Sequence, residues 1–221
     1  MNETRIQPLE KLTIPDNQPI VAIDFDGVIT RPNELKSEVF DDHGYAMSPS
    51  ETSREYCLNV ADIDLEVYET VSRKVNVEML KHVPLRNGVI PGLELLVDRG
   101  LLPIVITSRY DAEVEPMLEY IRSHELPIAG YANTNRGSKA EIVSDIDART
   151  YTDDSYYKLN SVLNCEDFQN ILIFFRHPSN SHVDVNHSDI EEVACWDNLT
   201  ELILENEIDS HEALTEHSDT E

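Results

Sequence analysis

Apolar positions along this chain follow two rhythms. Five short runs are apolar almost without interruption: 20–24 (IVAID), 102–107 (LPIVIT), 128–131 (IAGY), 150–152 (TYT) and 170–175 (NILIFF). Runs of this length predict strands buried on both faces. Between them the spacing turns helical over 91–99, 113–124, 138–146 and 156–163. Val114, Met117, Leu118 and Ile121 mark one face of the second of these, and Gly100 stands where the first should stop. Pro116 fits its helix only within the first turn, since proline has no N–H to donate and its ring crowds the preceding turn. Strands alternating with helices predict an α/β fold: a Rossmann-like, three-layer core around a five-stranded parallel sheet.

One connection breaks the alternation. About 75 residues separate the first strand from the second, where a crossover needs roughly a dozen. Within that stretch Val60, Ile63, Val67, Tyr68, Val71 and Val75 recur at helical spacing, as do Met79, Leu80 and Val83. The expected organisation is a core over 19–30 and 89–204, a small helical insertion over 31–88, a lead-in over 1–18 and an acidic tail over 205–221. An insertion after the first strand overlies the C-terminal ends of the strands, where open α/β sheets bind ligands. It is therefore a candidate lid.

Charge narrows the function classes. With 43 acids against 17 lysines and arginines, the net charge is −26, so most faces would repel a phosphate backbone and nucleic acid is an unfavoured partner. The acidity is compatible with a high-salt cytoplasm and equally with an ordinary acidic protein. No apolar run is long enough to span a bilayer, and no basic leader precedes one. The three cysteines (Cys57, Cys165 and Cys195) offer neither a disulfide framework nor a zinc spacing, so they are expected as buried or half-buried thiols in a cytoplasmic protein.

The chemistry sits where apolar runs end. The first ends in Asp24-Phe25-Asp26-Gly27, the second in Thr107-Ser108-Arg109 and the fourth in Asp153-Asp154-Ser155, while Lys139 opens the helix before that fourth strand. Parallel strands bring such ends together. Two carboxylates ~4 Å apart repel by about 4 kcal/mol at an effective dielectric of ~20, and a hard divalent cation relieves that repulsion. Oxygen-only ligation favours magnesium, which shares its ligands with phosphate. Gly27 would let the backbone approach a bound anion.

DFDGVIT, VITSR, the lysine of RGSKAEI and TYTDDS resemble, in order, the four motifs of the haloacid dehalogenase (HAD) superfamily of phosphohydrolases. The resemblance spans roughly 20–175. It implies Asp24 as the nucleophile that becomes an aspartyl phosphate and Asp26 as the acid and base. The Asp24 carboxylate, the Asp26 carbonyl and Asp154 would hold Mg2+, with Asp153 as ligand or outer partner; Thr107, Ser108, Gly27 and Lys139 would bind the phosphoryl group. Arg109 is a candidate substrate contact beside the plainer reading of a salt-bridged arginine. PLRNGVIPGLELLVDRG, FRHPSN and VACWDNL are similar to the 5'(3')-deoxyribonucleotidase-like branch.

These features predict a magnesium-dependent phosphomonoesterase acting on a small phosphate monoester, with a nucleoside 5'-monophosphate preferred and a sugar phosphate or nucleic-acid end as alternatives. A phosphate-binding or receiver-type regulatory protein without turnover is the alternative of another class, disfavoured by motif order and by intact Asp24 and Asp26. The resemblance is compatible with a homodimer. His177, His182 and His187 show no ligand spacing and are expected on the surface; Trp196 is expected in the core.

Overall fold

The computed structural model describes residues 6–9, 18–165 and 170–216, with side chains up to 206. Most of the expected lead-in and the last residues of the acidic tail lie outside the described residues. The strands are β1 (Gln7–Pro8), β2 (Ile20–Ile23), β3 (Leu102–Thr107), β4 (Gly130–Asn133), β5 (Ala148–Asp153), β6 (Ile171–Phe175) and β7 (Ile190–Val193). They form one seven-stranded sheet in the order β1-β4-β3-β2-β5-β6-β7, parallel except for β1.

The parallel α/β core matches the sequence reading; the strand count of five does not. The two extra strands lie at the sheet edges, where short segments suffice and the apolar signal is weak. β7 carries two glutamates between its buried ends, and β1 is two residues long. β4 also begins two residues later than the apolar run suggests, because Ile104 of β3 pairs with Gly130.

The helices are α1 (Asn33–Asp42), α2 (Arg54–Asn59), α3 (Leu65–Arg73), α4 (Val89–Asp98), α5 (Asp111–Ser123), α6 (Ala140–Asp145), α7 (Tyr156–Leu163) and α8 (Trp196–Glu216). Alternating side chains of β2 and β3 feed two cores. Val21, Ile23 and Val105 pack with α4, α5 and α8 on one face, and Ala22, Ile104 and Ile106 pack with α6 and α7 on the other. α5 starts earlier than expected because Glu113 Oε2 accepts the Tyr110 N–H at 3.2 Å, which places Pro116 in the second turn.

Helices α1 to α3, a π-helical turn at Lys74–Glu78 and a short 3₁₀ turn at Leu80–His82 fill the connection from β2 towards α4. Their buried residues, among them Phe40, Cys57, Val71 and Val75, belong to the same apolar cluster as Ile23 and Val105 of the sheet. Val60, by contrast, is 65% exposed and lies between α2 and α3, outside the helical face inferred for it. Among the described residues no helix is long and apolar enough to cross a membrane.

Candidate active site

β2 is the middle strand; the chain runs from it to β3 and β4 on one side and then crosses back to β5 on its other side, so the strand order reverses beside β2. A crevice therefore opens beyond its C-terminal end. Asp24 follows β2, Thr107 ends β3 and Asp153 ends β5, so pairing of these strands alone draws the three together. A cavity of about 460 Å³ opens here, walled on one side by Asp24, Asp26, Thr107 and Asp154 and on the other by residues of the insertion.

Lys139, just before α6, is fully enclosed and links two carboxylates: its Nζ lies 2.7 Å from Asp24 Oδ1 and 2.8 Å from Asp153 Oδ2. Asp153 Oδ2 also accepts from Tyr151 Oη, and its Oδ1 accepts the Ser155 N–H at 2.9 Å. Burial works to raise the Asp153 carboxyl, yet Lys139 above all, with Lys158 and the hydrogen bonds from Lys139 and Tyr151, holds it below the usual carboxylate range. Asp24 goes the other way. Burial first and repulsion from Asp153 second push it up to about 6, against the pull of Lys139 and Lys158.

Asp26 meets a partner that sequence spacing did not suggest. Arg109 Nε and Nη2 each donate to one Asp26 oxygen at 2.8 Å, a bidentate fork. The guanidinium also donates to the carbonyls of Asn76 and Glu113 and lies 4.9 Å over the Phe25 ring. Burial raises the Asp26 carboxyl, but the Arg109 charge and fork outweigh it and leave the group below its ordinary value. In this conformation Arg109 is occupied in positioning Asp26 and in joining β3 to the insertion.

Asp24, Asp153 and Asp154 each offer an oxygen within 4.8 Å of the others. The donors are all carboxylate oxygens, and the loop leaves room: at Gly27, φ +89°, an added Cβ would fall 1.9 Å from Asp154 Oδ2. The set fits a hard divalent cation. The Asp26 side chain is not among these oxygens. Asp154 lines the cavity, whereas both Asp153 oxygens are already engaged. Thr107 Oγ1 accepts the Arg109 N–H at 3.3 Å, and Ser108 lines the cavity with its Oγ unpaired.

Three residues outside the four motifs join the site. Lys158 on α7 places Nζ 3.6 Å from Asp24 Oδ2, and its pKa is raised because nearby carboxylates outweigh the cost of burial. Lys36 on α1 lines the cavity and lies 5.7 Å over the Tyr68 ring. His177, expected on the surface, is buried: Nε2 is 2.9 Å from Asp154 Oδ2 and Nδ1 is 2.9 Å from Ser179 Oγ. A signal for His177 existed in FRHPSN directly after β6, since it follows a strand end. Lys36 and Lys158 sit on ordinary helical positions.

No family model matches the chain, and no curated protein matches it in sequence. Solved structures do match it. A HAD family hydrolase of Deinococcus radiodurans with bound phosphate and sodium superposes with TM-score 0.58 at 12% identity, over 86% of this chain and 96% of that one. The fold is HAD-like. PtkA of Mycobacterium tuberculosis matches at TM-score 0.60 and 14% identity, over 86% and 99% of the two chains. A candidate β-phosphoglucomutase of Thermotoga maritima matches at TM-score 0.54 and 14% identity, over 85% and 99%. This chain spans 96–99% of each of these three chains.

Proposed function

We propose that this protein is a magnesium-dependent phosphomonoesterase that works through an aspartyl phosphate on a small phosphorylated metabolite. The observation that carries this reading is the meeting of Asp24, Lys139, Asp153 and Asp154 beyond the ends of β2 and β5, with all but the enclosed Asp153 lining one cavity. Six of the chain's 17 lysines and arginines line that cavity, in a molecule of net charge −26. Such a local concentration of cations suits an anionic substrate.

Asp24 Oδ2, the oxygen not bonded to Lys139, attacks phosphorus; the ester P–O bond breaks and the leaving oxygen takes a proton from Asp26. Water then attacks the aspartyl phosphate, its proton passes to Asp26, and inorganic phosphate leaves with Asp24 restored. Lys139 and Lys158 offset negative charge around Asp24, and the Thr107 hydroxyl and the Ser108 backbone N–H donate to phosphoryl oxygens. The Arg109 fork favours the ionised Asp26 carboxylate, the form that receives the water's proton, and Asp26 carries the proton for the leaving oxygen only once it is released from that fork. Asp24, Asp154 and the Asp26 carbonyl would hold Mg2+, with Asp153 behind them. When bound, the ion supplies charge neutralisation on the carboxylates and phosphoryl oxygens.

Two leaving groups fall within this reading. A nucleoside follows from the sequence resemblance to the deoxyribonucleotidase-like branch; a sugar is supported by the polar insertion-side wall and by the β-phosphoglucomutase among the fold's neighbours. The test of the chemistry is phosphate release from p-nitrophenyl phosphate and a metabolite panel, with magnesium and with chelator. Metal-dependent turnover is expected in the wild type. Asp24→Asn should lower kcat by at least ~10³-fold with an unchanged circular dichroism spectrum, since loss of a nucleophile leaves only residual binding effects. Equal activity in this variant would remove Asp24 from its role.

A further inference from the structure

Tyr68, Ser72 and Asn76 follow one another four residues apart along α3 and the π-helical turn that extends it, and all three line the cavity that holds Asp24 and Asp26. Residues four apart share a helix face, and π turns recur at functional sites. Ser72 and Asn76 are 3% and 7% exposed, yet neither Ser72 Oγ nor Asn76 Oδ1 has a hydrogen-bond partner among the described residues. The core contributes two more such atoms to the walls, Ser108 Oγ and Glu113 Oε1. Four of the seven buried unpaired side-chain atoms among the described residues thus belong to this one cavity. Folded proteins pair nearly all buried polar groups, so a cluster of exceptions points to an external partner.

The chemistry of the set selects that partner. Asn76 Oδ1 and Glu113 Oε1 accept, while the two serine hydroxyls accept or donate, so the complement is rich in O–H donors. Of the insertion's aromatic rings only Tyr68 lines the cavity, and it has no free face for a nucleobase; Tyr156 and Tyr157 line the cavity from α7, not from this seam. Tyr68 is 7% exposed, with its ring 6.5 Å from Phe40 and the Lys36 ammonium 5.7 Å over it. The Tyr56 ring meets His182, and its hydroxyl donates to Glu51 Oε1 at 2.9 Å.

We infer that the seam between α3 with its π turn and the β3–α5 connection is the leaving-group subsite, and that it takes a polyhydroxylated leaving group: the substrate is a sugar or polyol phosphate. This rests on the phosphatase reading above. Ser72 and Asn76 read hydroxyls from the insertion, and Ser108 and Glu113 read them from the core.

The test compares kcat/KM of the full chain with magnesium on a hexose 6-phosphate, a pentose 5-phosphate, a nucleoside 5'-monophosphate and p-nitrophenyl phosphate. A sugar phosphate should exceed the nucleotide by at least ~10-fold, since the nucleotide brings fewer hydroxyls for the seam to bind and a base that the seam has no aromatic face to stack. Ser72→Ala and Asn76→Ala should each lower the ratio of sugar phosphate to p-nitrophenyl phosphate by at least ~5-fold, because the aryl ester has no hydroxyls for the seam to bind. Their Tm should not fall, because each removes a buried group that has no partner to lose. A ratio constant within twofold, or a lower Tm with the ratio intact, assigns these residues to packing and overturns the subsite. Preference for the nucleotide overturns it too, with the phosphatase reading still standing. Absence of turnover on every ester defeats the phosphatase reading and the subsite together.

Discussion

Asp154 as an ionised carboxylate can only accept a hydrogen bond, so His177 Nε2, 2.9 Å from Asp154 Oδ2, carries the proton of that contact. Nδ1 then accepts from Ser179 Oγ, which in turn accepts from Asn33 Nδ2 at the start of α1. The chain of four side chains runs from the insertion to the cavity-facing carboxylate and fixes its orientation, as outer partners of metal ligands commonly do. His177→Ala should raise the Kd for Mn2+, read by electron paramagnetic resonance of the full chain, by about 10–100-fold. His177→Gln, which can still donate, should recover part of that loss. An unaltered Kd in the alanine variant would show that Asp154 needs no such support. Arg109 teaches a related lesson: TSR is visible in sequence, but that its guanidinium turns back on Asp26 follows from packing against Phe25 and the Asn76 carbonyl.

Helices α4 and α8 meet through glycine. A Cβ at Gly92 would lie 2.7 Å from Trp196 Cε3 and 2.8 Å from Thr200 Oγ1, so the two helices approach more closely than an alanine allows. Trp196, fully buried as expected, donates its Nε1–H to the Val28 carbonyl at 2.8 Å and so braces the loop that follows Asp26 and Gly27. Gly92→Ala should cost about 1–3 kcal/mol through overpacking, seen as a Tm lowered by several degrees in thermal unfolding. An unchanged Tm would mean that α8 can shift freely, contrary to the close fit. At this scale the interior elements were legible: β3 and α7 fall at the expected residues, and α4 and α5 within two. β7 was not, because its stability comes from pairing with β6 and its own sequence is half glutamate.

Across the whole molecule, 43 acids against 17 lysines and arginines leave repulsion that compactness intensifies. Added NaCl screens it, shortening the Debye length from about 30 Å at 0.01 M to about 3 Å at 1 M. Tm should therefore rise over that range, and a Tm that falls or stays level would show that surface repulsion is not a significant destabilising term. Cys195, exposed where a half-buried thiol was expected, is part of the same lesson about surfaces. Periodicity and strand-end chemistry determine, from sequence alone, a parallel α/β sheet and the convergence of Asp24, Thr107, Lys139, Asp153 and Asp154, because strand direction fixes where strand ends lie. Tertiary structure decided which way Arg109 points, that Lys36, Lys158 and His177 reach the cavity, and that Ser72 and Asn76 face it unpaired. Those facts depend on how helices far apart in sequence dock on one another, a property of packed surfaces that local spacing does not encode.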